Sequence, residues 1–283
     1  MQFPAQAQAP QAHASTAIRS TGFTSSDGVH LNVLEAGLGE DHAPVIAFIP
    51  GWCMPASLWQ EQLAMLGTRY RAAALDPRGQ GESDIPKSGY TLERRSEDLH
   101  EFIARYPRVV LVAWSLGALE ALHYLHRHGD AALAGLVIVD SSVGEDPAPA
   151  KSAPGLGFVE ELRRDRARTV ESFVQAIFRR PRPRAQIEAL RDAALRMPLE
   201  GSVSLFPTDV PREHWRAAAR GFAKPLMYVV TPQFAGQAAN LSKHRRGTRV
   251  LVFREAGHAL FVDEPARFNR ALTEFIAGLD RPR

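Results

Sequence analysis

Apolar, β-branched runs recur along this chain with amphipathic stretches between them: "VIAFIP" (45–50), "YRAAALDP" (70–77), "RVVLVAW" (108–114), "LAGLVIVDSS" (133–142), "PLMYVVT" (225–231) and "TRVLVFREAG" (248–257). Continuous apolar runs, unlike strict period-two alternation, belong to strands buried on both faces. Helices between them then supply the crossovers of a mostly parallel sheet. Two further strands open the chain, "IRSTGFTSS" and "VHLNVLEAG", with Asp27-Gly28 as a two-residue hairpin turn. Among the helices, "TLERRSEDLHEFIARY" (91–106) takes Thr91 as its N-cap, and "PARFNRALTEFIAGL" closes the chain. The expected fold is α/β: a mostly parallel eight-stranded sheet with helices on both faces.

The rhythm breaks from about Val143 to Ala218, which is helical and rich in arginine. An insertion at the carboxyl edge of such a sheet sits over the ligand site. Residues 143–218 are therefore expected to form a helical cap after the sixth strand, on a core of 18–142 and 219–283. The first 17 residues, "MQFPAQAQAPQAHASTA", lack the basic start and apolar centre of a signal peptide and read as a disordered arm. No run approaches the roughly 20 apolar residues that span a bilayer. A single cysteine, Cys53, excludes an internal disulfide framework and suits a reducing compartment, so a cytoplasmic location is expected. The net charge of +3 does not call for a nucleic-acid partner.

The chemistry concentrates at three strand ends. In "VVLVAWSLGALEAL" (109–122), Ala113-Trp114-Ser115-Leu116-Gly117 follows the nucleophile-elbow pattern G-x-S-x-G with Ala in place of the first Gly. Small residues flank such a serine because the strand reverses sharply into a helix. The turn lifts the hydroxyl to the sheet edge and aims the Leu116 N–H at a developing oxyanion. A serine that merely caps a helix is the plainer reading, and the strand–turn–helix setting weighs against it. In "FIPGWCMPASLW" (48–59), Gly51 lets the chain pass close to a substrate and the Trp52 N–H is the second candidate oxyanion donor; a turn around a buried indole is compatible with that role. In "REAGHALFVDEP" (254–265), His258 stands in a loop after the last strand, where a general base belongs. His123, His126 and His128 read instead as surface positions on a helix, and His13 falls in the arm.

Together with the order of these motifs, "DPRGQGESD" (76–84) makes the chain resemble an α/β-hydrolase, in which that stretch is a structural turn. "PGWCMPASLW", "AWSLGALEAL", "RTVESFVQAIF" and "FREAGHALFVDEP" are similar to segments of the pimeloyl-acyl-carrier-protein methyl ester esterases and related carboxylesterases, over most of residues 28–278. Two departures stand out. Pro50 replaces a histidine before Gly51, and the turn after the seventh strand, "VVTPQFAGQAAN", lacks the acid that the family keeps there. The resemblance implies a second place for it, the end of the sixth strand, as in some haloalkane dehalogenases. Here that position is Asp140. A polar strand-end residue capping nearby N–H groups is the competing reading. Asp146 is a weaker candidate, and Glu255 and Asp263 lie too near His258 in sequence to reach its far nitrogen easily.

The expected function is a serine carboxylesterase that works through an acyl-enzyme without cofactor or metal, on a small-molecule ester. Ser115 is its nucleophile, His258 its base, Asp140 its acid, and Trp52 and Leu116 its oxyanion donors. Lactone opening, acyl transfer or perhydrolysis at the same site, or a ligand- or carrier-binding pseudo-enzyme, are the alternatives. Eight arginines between Arg163 and Arg184 face Asp165 and Glu171 in the same interval. They either form a solvated face, the preferred reading, or dock an acidic acyl-carrier protein or an anionic substrate.

Overall fold

The computed structural model describes residues 17–37, 43–148, 156–206 and 209–279. Of the expected N-terminal arm, residues 1–16 lie outside the described residues. The chain runs β1 (Arg19–Thr24), β2 (His30–Ala36), β3 (Val45–Ile49), α1 (Gln60–Leu66), β4 (Ala72–Leu75), α2 (Leu92–Ile103), β5 (Val109–Trp114), α3 (Leu116–His128) and β6 (Leu133–Val139). Five helices follow: α4 (Leu156–Arg164), α5 (Arg166–Ala176), α6 (Arg184–Leu195), α7 (Leu199–Ser204) and α8 (Arg212–Gly221). The sheet then resumes with β7 (Leu226–Val230), α9 (Ala235–His244) and β8 (Arg249–Val252), before α10 (Leu260–Asp263) and α11 (Pro265–Ala277).

The eight strands form one sheet in the order β1-β2-β4-β3-β5-β6-β7-β8, antiparallel at β1/β2 and β2/β4 and parallel elsewhere. Successive residues of each parallel strand enter opposite cores. Phe48, Val112, Val139 and Val229 face one side with Trp59, Phe261 and Phe268, and Ala47, Leu111, Ile138 and Tyr228 face the other with Phe102, Leu122 and Trp215. Both faces are thus dry, which is why the sequence shows apolar runs instead of alternation.

The opening hairpin is wider than a two-residue turn. Ser25 to Val29 form the connection, and the Asp27 carboxylate leaves it to meet the Arg78 guanidinium at 2.9 Å. Thr91 caps α2 by accepting the Arg94 N–H at 3.2 Å, as the sequence predicts. The inserted helices dock on the loop after β3: the Trp52 ring stacks on Phe206 at 5.3 Å and meets Phe158 and Phe173 edge-on. The last of them, α8, packs against α3 and α9 and runs past residue 218 to Gly221. Among the described residues no helix is long and apolar enough to cross a membrane.

Candidate active site

Strand β5 delivers Ser115 at the carboxyl edge of the sheet, between β3 and β6. The Ser115 N–H still bonds the Val139 carbonyl at 3.0 Å, and the chain then turns into α3 with Ser115 at φ 56° and ψ −121°. A non-glycine residue in this region is strained by about 1–3 kcal/mol and persists only where its surroundings hold it. Crowding explains the small neighbours. A Cβ on Gly117 would stand 2.5 Å from the Pro50 carbonyl oxygen, and one on Gly51 would stand 3.0 Å from the Ser115 Cβ. The loop bearing Trp52 and the elbow bearing Leu116 therefore touch directly beside the serine hydroxyl.

Three side chains from distant parts of the sequence meet there. Ser115 Oγ lies 2.8 Å from His258 Nε2, and His258 Nδ1 lies 2.7 Å from Asp140 Oδ2. A carboxylate only accepts, so Nδ1 carries the proton and Nε2 is left to accept from the serine hydroxyl. Asp140 is buried, while the His258 side chain is 27% exposed, open enough to exchange protons with a substrate or water. The imidazole is steadied from below by Trp114, whose indole donates to the His258 carbonyl at 2.9 Å.

Asp140 also holds an unusual backbone, with φ 41°. Its N–H bonds the Val229 carbonyl at 2.8 Å on the neighbouring β7, and its Oδ1 accepts the Thr231 N–H at 2.6 Å. Beneath it Tyr228 donates to the Ser141 carbonyl at 2.5 Å; burial, reinforced by the charge of Asp140, pushes the phenol well up and keeps it a donor. Among the described residues only Cys53, Ser115 and Asp140 combine a side chain with positive φ. Ser115 and Asp140 directly follow β5 and β6, and Cys53 lies in the loop after β3.

The other carboxylates considered from sequence go elsewhere. Asp146 pairs with Arg212 and Arg216 in solvent, and Glu255 faces Arg179 at 3.6 Å. Asp263 does not approach the imidazole ring. Its buried carboxylate instead accepts the Gly257 N–H at 2.7 Å, the Arg179 N–H at 2.8 Å and the Arg182 guanidinium at 2.7 Å. With the Ala259 N–H bonded to the Ile177 carbonyl at 2.8 Å, the loop on both sides of His258 is tied to the inserted segment. Sequence spacing hides this role, because Arg179 and Arg182 lie 84 and 81 residues away.

In "DPRGQGESD", Asp76 accepts from the Ala56 and Glu82 N–H groups and from Asn32, and Arg78 is buried between Asp98 and Asp27. Both side chains are engaged by these turn contacts. One reading needs correction: His123 is not a surface residue. It is buried with Nδ1 3.0 Å from His214 Nε2, because α8 covers that face of α3. Among the described residues no group of three or more His, Cys, Asp or Glu side chains could hold a metal ion.

Comparison with known proteins agrees with this architecture. The model of the alpha/beta hydrolase family matches residues 46–271. Pimeloyl-[acyl-carrier protein] methyl ester esterase of Vibrio cholerae is 26% identical over 260 residues, covering 85% of this chain and 95% of the relative. A non-heme chloroperoxidase of Kitasatospora aureofaciens is 35% identical over 121 residues, 42% of either chain. Among solved structures, an esterase from Exiguobacterium antarcticum superposes with a TM-score of 0.80 at 21% identity, over 92% of this chain and 100% of that one. An eight-stranded, mostly parallel sheet with helices inserted after its sixth strand, together with a family match over most of the chain, places this protein in the alpha/beta hydrolase family.

Proposed function

We propose that the protein is a serine carboxylesterase acting through an acyl-enzyme. One observation carries the reading: an unbroken hydrogen-bonded series from Ser115 through His258 to Asp140, at 2.8 and 2.7 Å, ending on a strained elbow. His258 Nε2 takes the hydroxyl proton as Ser115 Oγ bonds to the ester carbonyl carbon. The carbonyl electrons move onto oxygen, and the N–H groups of Trp52 and Leu116 donate hydrogen bonds to the resulting oxyanion. Collapse expels the alcohol with the proton from His258. Water then repeats the sequence on the acyl-enzyme and frees the acid and Ser115. Asp140 holds the imidazole in its reacting tautomer and stabilises the imidazolium.

Residues 143–218 act in this reading as a cap, and Phe158, Phe173 and Phe206, gathered on Trp52, give the acyl side an aromatic, apolar character. The Vibrio cholerae relative is named for a methyl ester carried on an acyl-carrier protein. A small-molecule ester is preferred here, because Arg163 and Arg184 sit in solvent with Glu200 and Glu188, as a solvated face would. We place the enzyme in the cytoplasm on composition alone. The test is a fluorophosphonate probe combined with a short-chain nitrophenyl ester. Wild type should label and show a burst of nitrophenol, whereas Ser115→Ala should do neither; equal labelling of the two would overturn the assignment.

A further inference from the structure

The turn "DPRGQGESD" holds a side chain that reaches the loop beside the nucleophile. Gln80 is fully buried, and its Nε2 donates to the Gly51 carbonyl at 3.1 Å and to the Met54 carbonyl at 2.7 Å. Its Oε1 accepts from Arg95 Nη1 at 3.0 Å. Arg95 in turn meets Glu120 Oε1 at 2.9 Å, both side chains being buried. Glu120 lies on α3, the helix that begins immediately after Ser115.

The Gly51 carbonyl and the Trp52 N–H are two ends of one peptide unit. In a trans peptide they point in opposite directions across a rigid plane. A donor fixed on the carbonyl therefore fixes where the N–H points. Gly51 needs this support, since it has no side chain to anchor it and Cys53, two residues on, stands at φ 54°. The Met54 N–H adds a second donor to the same carbonyl at 3.2 Å.

We propose that Gln80 is a positioning residue for the oxyanion hole: it aims the Trp52 N–H at the oxyanion by holding the carbonyl at the other end of that peptide. The inference rests on the reading of Ser115 as nucleophile. Oxyanion donors are effective only when preorganised, because a donor that must rotate into place spends the transition-state gain on reorganisation. The relay from Glu120 through Arg95 references the donor to the helix that begins at Leu116, so the two halves of the hole keep their spacing.

Two variants test this. Gln80→Met keeps the length and removes the amide. Gln80→Glu keeps an acceptor for Arg95 but cannot donate to the two carbonyls. Turnover is measured per active site, counted by fluorophosphonate labelling, alongside inhibition by a trifluoromethyl ketone, which Ser115 converts reversibly into a tetrahedral oxyanion. Both variants should lose roughly tenfold to hundredfold in kcat with KM nearly unchanged. Ketone affinity should fall in parallel with kcat/KM. A kcat per labelled site equal to wild type, or unchanged ketone affinity, would overturn the proposal.

Amide exchange supplies a readout free of activity. Peptides covering residues 48–58 should exchange faster in both variants while those of β5 do not, and unchanged exchange there overturns the proposal. In the wild type the Gln80 side-chain amide protons should exchange slowly, a measurement that needs no variant to fold; exchange at the solvent rate overturns it too. Failure of the wild type to label at Ser115 would instead sink the nucleophile assignment, and the exchange results would still decide on Gln80.

Discussion

Asp140 Oδ1 accepts the main-chain N–H of Thr231 at 2.6 Å. Strands β6 and β7 are parallel neighbours, so the turn after β7, which carries no acid of its own, lies beside the end of β6 and offers that carboxylate an N–H. The other oxygen is left for His258 at 2.7 Å. The turn contributes a donor where the family keeps an acid.

This predicts a sharp asymmetry between the two strand ends. Asp140→Asn should lower ester turnover by about 10⁴-fold, the scale seen when an amide replaces the orienting acid of a serine protease. Pro232→Ala, in the turn after β7, should leave kcat within about twofold, since the position is exposed and substitutions at exposed positions change little. Steady-state kinetics of the two variants would decide; equal, mild losses would refute a catalytic Asp140.

If Ser115 is the nucleophile, its strained elbow costs stability. Ser115→Gly removes the Cβ that disfavours φ 56°, so the variant should be more stable by on the order of 1 kcal/mol, with no ester turnover. Denaturant titration of both proteins checks this. A loss of stability would show that Ser115 is not strained in the folded chain.

Asp263 should matter to both stability and rate. Asp263→Ala removes one partner of the half-buried Arg182, which keeps its bond to the Val262 carbonyl, and frees the Gly257 and Arg179 N–H groups, a loss of about 1–3 kcal/mol. Because the same carboxylate steadies the loop of His258, kcat measured well below the melting temperature should fall about tenfold or more. Thermal melts read the first effect and active-site-normalised kinetics the second.

Acid should loosen the contact between α3 and α8. Burial, with help from the neighbouring His214, pushes His123 down from 6.5 to about 4, and burial lowers His214 as well. His126, Glu93 and Arg127 also act on the His123 imidazole. Between these two pH values the unfolded chain binds a proton at this histidine that the folded chain refuses. Stability must therefore fall as pH drops from about 6.5 towards 4. Guanidinium midpoints across that range should show a decline that His123→Phe reduces.

Much of this protein was legible in one dimension. The apolar runs and the helices between them are local consequences of burial on both sheet faces, and they gave the strand order in the chain, the α/β class and the insertion after the sixth strand. Ser115 was legible because a sharp strand-to-helix turn demands small neighbours within two residues. His258 was legible because a loop glycine and a strand end flank it.

Contacts made across the sheet were not legible. Asp140 could be favoured only because its rival turn was empty; that its carboxylate spans Thr231 and His258 depends on β6 lying beside β7. Spacing alone gives Asp263 no role and makes His123 a surface position, because their distant partners come from the inserted segment, which sequence spacing cannot place. Gln80 gave no signal at all, its amide being meaningful only once the Gly51 and Met54 carbonyls have folded against it. Local sequence determined which residues could do chemistry, because turn geometry and burial act over a few residues. Tertiary structure alone decided which of them share a hydrogen bond, because that requires ångström-scale placement of elements far apart in the chain.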